Sequence, residues 1–122
     1  MRSCFAIATL ALALTACGGD EEEGPDPESL GIDCSDDIPT FAQVTAFQTV
    51  CTNCHDSSLS GAARNGAPAG YDFDRYERAA DEAGEIAEYV DEGLMPPPDS
   101  GLSITAAERQ AILRWAVCGT PE

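Results

Sequence analysis

Two thiols and an imidazole stand together near the middle of this chain of 122 residues, at Cys51-Thr52-Asn53-Cys54-His55. This C-x-x-C-H spacing is the attachment pattern of a c-type haem. Each thiol can form a thioether to one vinyl-derived carbon on the same porphyrin edge. His55 is then carried under the ring, where it can bind iron axially. The same atoms permit other chemistries. A C-x-x-C pair also serves as a redox dithiol, although no βαβ pattern surrounds this one. A zinc site would need four ligands, for which Cys34 and Cys118 are also present.

The chemistry depends on where the chain resides. Met1-Arg2-Ser3 carries one positive charge, and an apolar run from Cys4 to Ala16 follows. That run is short for a bilayer span and has the shape of a secretory signal. It ends in Leu14-Thr15-Ala16-Cys17, which resembles the lipobox of bacterial lipoproteins; there cleavage precedes the cysteine, which becomes acylated. An ordinary signal peptide with an incidental Cys17 is the alternative. Lipidation of Cys17 would anchor the chain in a membrane. The location expected is the cell envelope of a Gram-negative-type bacterium, facing the periplasm or on the surface. Residues 1–16 read as signal, 17–33 as a lipidated, acidic, disordered tether without apolar periodicity, and 34–122 as one small folded domain.

Charge narrows the partners. All 22 acidic residues follow the signal, against five arginines and no lysine, so the mature chain sits at −17. Such a surface repels nucleic acid and attracts basic partners. Cysteine use fits export. With Cys4 in the signal, Cys17 lipidated and Cys51 and Cys54 in the motif, Cys34 and Cys118 remain at opposite ends of the domain. Outside the cytosol they read as a disulfide, with two buried free thiols as the alternative.

The elements that must position the motif follow from periodicity. Thr40-Phe41-Ala42-Gln43 has the form of a capping box, and Phe41, Val44, Phe47 and Cys51 continue at helical spacing. This predicts a helix delivering Cys51 at its last turn. Residues 56 to 72 read as a long loop. Asp74 to Glu77 offers a second capped start, followed by an apolar stripe of Tyr76, Ala79, Ala80, Ala83, Ile86, Ala87 and Val90. Gly84 is a candidate break, and Gly93 a candidate αL cap. Met95 then precedes Pro96-Pro97-Pro98, which favour an extended backbone. Thr105 and Glu108 form a third capping box, and Ala107, Ile112, Leu113, Trp115 and Ala116 give the inner face of a last helix ending near Cys118.

From about Cys34 to Cys118 the chain resembles the class I cytochrome c family in its C-x-x-C-H motif, its Met-Pro-Pro-Pro segment and its helix order. The resemblance implies an all-α, cytochrome c-like fold, with three or more helices around a covalently bound haem and long loops. It implies one haem c held by Cys51 and Cys54, with His55 and Met95 as axial ligands to iron. Met95 is the only methionine besides the initiator, and His55 the only histidine. Pro68 is the candidate whose carbonyl accepts the imidazole N–H, Arg64 and Asn65 are candidates to meet a propionate, and Phe47 is expected to touch Trp115. The implied function is a membrane-tethered, single-haem electron carrier outside the cytoplasm rather than a catalyst. Its partners would be redox proteins with basic docking surfaces. Two other functions fit the same residues: a haem-c protein with an open iron position (a gas-binding protein or a redox enzyme subunit), and a non-redox surface lipoprotein with structural cysteines.

Overall fold

The computed structural model describes residues 23–122. The signal and Cys17 lie outside the described residues. Four α-helices occur among them and no strand: α1 (Ala46–Thr49), α2 (Tyr76–Asp81), α3 (Ala83–Asp91) and α4 (Ala106–Val117). Short 3₁₀ turns at Phe41–Gln43, Cys51–Asn53 and Gly61–Arg64 fill part of the rest.

The longest element, α4, forms where its sequence signals say it should. Thr105 Oγ1 accepts from the Glu108 backbone N–H at 3.2 Å, and the Glu108 carboxylate accepts from the Thr105 N–H at 2.7 Å. This reciprocal box satisfies two of the donors a helix start leaves free. Ile112, Leu113 and Trp115 are the residues that α4 buries, and Ala107 is exposed. The helix packs chiefly against α3, which presents Ala83, Ile86, Ala87 and Val90. An Asp91–Arg109 ion pair closes the outer edge of that contact.

The stripe after Asp74 is two helices rather than one. The break falls at Glu82, which adopts φ −102° and ψ 14°, and Gly84 lies inside α3. Gly84 has a packing reason. A Cβ on Gly24 would run into the Gly84 backbone, so two glycines meet where the N-terminal segment crosses the helix. The acidic tether is therefore packed over its second half: Ile32 is only 6% exposed, and its N–H donates to the Pro27 carbonyl at 2.8 Å. Gly93, at φ +73°, ends α3 as expected.

The helix predicted from Thr40 to Cys51 is replaced by a 3₁₀ turn, the four residues of α1 and a second 3₁₀ turn. The reason is local. Thr49 and Thr52 hydroxyls donate to the Thr45 and Gln48 carbonyls, and the Asn53 amide donates to those of Thr49 and Val50. Such back-bonding by hydroxyl and amide side chains competes with the helical ladder and bends it. Val44 and Val50 add branched side chains that resist helical rotamers.

Cys34 and Cys118 form a disulfide, 5.4 Å apart at Cα and 84 residues apart in sequence. In a chain-entropy account such a loop contributes about 4.5 kcal/mol. It closes an aromatic corner in which Trp115 meets Phe47 edge-to-face at 5.0 Å and Phe41 at 5.8 Å. The Trp115 indole N–H and the Phe41 amide both donate to the Pro121 carbonyl. The fold is thus an all-α, disulfide-stapled shell with long loops. The reading as a cytochrome c-like fold around a covalent haem is corrected to this coarser description. The N-terminal helix of that reading is not formed, and the covalent staple among the described residues is the distant disulfide, while Cys51 and Cys54 are free thiols.

Candidate functional site

An apolar cavity of about 300 Å³ opens between α1, α3, the loop before α2 and the proline segment. Its lining includes Phe47, Val50, Ile86, Val90, Leu102, Ile104 and Ile112, so apolar side chains from α1, α3, α4 and the segments between them face it. Among them stand Cys51, Cys54, His55 and Met95. Four chemically active side chains named from sequence are therefore brought to one cavity. No group of three or more His, Cys, Asp or Glu among the described residues is arranged to hold a bare metal ion.

Cys51 opens the second 3₁₀ turn and Cys54 caps its end, and the Cys54 and His55 amides both donate to the Cys51 carbonyl. Burial pushes the Cys51 thiol up to about 12. A redox dithiol needs a thiolate stabilised near neutral pH, and Cys51 has the opposite environment. The zinc alternative also fails, because Cys34 and Cys118 are spent on each other.

His55 is 8% exposed, and its ring stacks on Phe73 at 4.4 Å with a 14° interplanar angle. The Phe73 amide donates to the His55 carbonyl at 2.7 Å. Nδ1 lies 3.0 Å from the Tyr71 carbonyl oxygen. A carbonyl only accepts, so Nδ1 carries the proton and Nε2 the lone pair. Burial lowers the pKa of His55, which favours the neutral ring. The carbonyl that orients this imidazole is therefore that of Tyr71 and not that of Pro68. The Pro68 side chain is exposed, and its carbonyl accepts from Arg64 Nη2 at 2.7 Å.

Arg64 is also not the free cation expected for a propionate. It is 6% exposed, and its guanidinium donates to the carbonyls of Asp56, Leu59, Ala67, Pro68 and Tyr71 and to the Asp72 carboxylate. Asn65 does line the cavity. Met95 is positioned by the turn at Gly93, since the Leu94 and Met95 amides both donate to the Tyr89 carbonyl.

Sequence reasoning missed Tyr71, Phe73, Glu82, Glu85 and Tyr89, all of which line the cavity. The neighbouring Glu85 carboxylate, with Glu82 beyond it, pushes the Tyr71 phenol up to about 12. Burial and the Glu85 charge in turn raise Glu82. The alternation Tyr71-Asp72-Phe73, with aromatic residues on one side, was the available signal.

Comparison with known proteins returned no match to a family model, a curated protein or a solved structure. With no relative to carry the family assignment, and with a long-range structural disulfide as the covalent link found, the identification as a class I cytochrome c is withdrawn. The assignment of haem c as cofactor goes with it, as do the roles of haem electron carrier and of haem protein with an open iron position. The disulfide and the motif use different cysteines, so Cys51 and Cys54 keep their thiols facing the cavity. No helix among the described residues is long and apolar enough to cross a membrane.

Proposed function

We propose that this protein is an exported binding module that takes a largely apolar ligand into the cavity beside Cys51, Cys54, His55 and Met95. The observation that carries this reading is the cavity itself: about 300 Å³, lined mainly by apolar atoms, with the chain's sole histidine and both unbridged cysteines of the described residues on its wall. Ligand sites are commonly apolar clefts with a few placed polar groups. In this module His55 Nε2 is the acceptor, the Met95 sulfur a soft contact, and the Cys51 thiol, kept protonated by burial, lines the cavity with Cys54. The work is binding rather than catalysis. Cys17 lipidation would tether the module to an envelope membrane, and the mature chain's net charge of −17 would favour partners with basic docking surfaces over nucleic acid.

The test is mass spectrometry of the full chain purified after export, recorded under native and denaturing conditions. The proposal expects a co-purifying mass in the native spectrum that is absent from a variant with a filled cavity, Ala67→Phe. A folded protein that carries no added mass and binds no apolar probe would overturn it. An added mass that survives denaturation and maps to Cys51 or Cys54 would place the ligand on the cavity wall.

A further inference from the structure

We infer that Arg64 is a positioning residue for the cavity: its buried guanidinium fixes the Tyr71 carbonyl that selects the Nδ1–H form of His55, leaving Nε2 as a bare acceptor for the ligand. The inference rests on the proposed binding role of the cavity and names the group there that recognises a donor or Lewis-acidic centre.

The argument begins with an imbalance in the loop between the motif and α2. Residues 56–72 contain only one short 3₁₀ turn, so their carbonyls have few ladder partners. One side chain donates to five of them. A guanidinium offers five N–H groups in a rigid planar fork, and here they meet six acceptors, the Asp72 carboxylate among them at 3.0 Å. Such a cluster is an organising centre, because a buried carbonyl without a donor is costly.

Tyr71 is where that centre touches the cavity. Its carbonyl accepts from Arg64 Nη2 at 3.1 Å and from His55 Nδ1 at 3.0 Å. A carbonyl oxygen has two lone pairs, and with one held by Arg64 the other is directed at the imidazole. Phe73 clamps the ring face from the same segment. His55 Nε2 has no hydrogen-bond partner among the described residues, yet no buried side-chain nitrogen or oxygen among them lacks one. Nε2 therefore retains accessible surface, and His55 lines the cavity. An unconstrained imidazole favours the Nε2–H form, which would turn a donor toward the ligand. The Arg64–Tyr71 arrangement reverses that preference.

The experiment is long-range ¹H–¹⁵N correlation NMR on the ligand-free full chain, with couplings recorded across the hydrogen bonds of the Tyr71 carbonyl. The wild type should show His55 only as Nδ1–H, with couplings from the Tyr71 carbonyl carbon to both His55 Nδ1 and Arg64 Nη2. Arg64→Lys supplies a point charge in place of the fork and should shift the tautomer ratio about tenfold toward Nε2–H, the worth of one hydrogen bond. Asp72→Asn keeps an acceptor oxygen and should retain the wild-type tautomer. A wild-type His55 in the Nε2–H form, a missing coupling to either nitrogen, or a folded Arg64→Lys protein with unchanged tautomer would each overturn the inference. The wild-type couplings decide the matter if Arg64→Lys does not fold. Because no ligand is present, a single Nδ1–H tautomer in a protein that binds no probe would sink the binding proposal and leave the role of Arg64 standing.

Discussion

The two sides of this domain are held together by different means. On the side of the disulfide, Trp115, Phe47 and Phe41 interlock, Cys34 is bonded to Cys118, and the chain end is tied down through Pro121 and Thr120. That corner is filled with its own side chains. On the side of the cavity, the 56–72 loop is held by one guanidinium and the Met95 segment by two amides on the Tyr89 carbonyl. That wall is polar in its bonding and leaves an apolar space in front of it. The difference teaches that stability and binding are divided here: one side is complete without a ligand, and the other is built to present side chains to one.

The division can be broken most severely at Trp115, which is fully buried. Trp115→Ala should cost about 3–5 kcal/mol in urea unfolding, the range for truncating a buried aromatic. A loss below about 1 kcal/mol would mean the corner does not carry the fold. Removing the bridge by Cys34→Ala with Cys118→Ala should cost about 2–4 kcal/mol. It should leave the affinity for apolar probes nearly unchanged, and a large loss of binding would show that the two sides are not separable.

A smaller effect should arise on the cavity side. Burial holds His55 below its ordinary value of 6.5. The folded state then binds fewer protons than the unfolded chain in the window between the two values. The stability due to the neutral ring is therefore complete above pH 6.5 and is lost as pH falls through the folded value. The urea midpoint of the wild type should decline on acidification below about pH 6.5 more steeply than that of His55→Gln. Equal slopes would show that His55 titrates alike in both states.

Sequence reading succeeded where local rules and tertiary needs agree. Thr105 and Glu108 announced α4, Gly93 its predecessor's end, and Cys34 and Cys118 their bridge. It failed between Val44 and Asn53, where apolar spacing suggests a helix but hydroxyl and amide side chains take the carbonyls. It also read the tether as ending at Asp33, because Leu30 and Ile32 are too sparse to form a period, yet Ile32 is buried. At the site, side-chain types named Cys51, Cys54, His55 and Met95, all of which line one cavity. The carbonyl that orients His55 was beyond reach, since every residue has one and its direction depends on loop geometry. Arg64 was singled out to meet a haem propionate, and it is instead buried on the carbonyls of its own loop.

The central claim, that this cavity is a ligand site, is tested most directly by fluorescence titration of the full chain with the apolar probe N-phenylnaphthylamine. The account predicts saturable binding of one probe per chain. Ala67→Phe should abolish it without changing the circular dichroism spectrum or the melting temperature. A correctly folded protein that shows no saturable binding, or an Ala67→Phe variant that binds as well as the wild type, would contradict it.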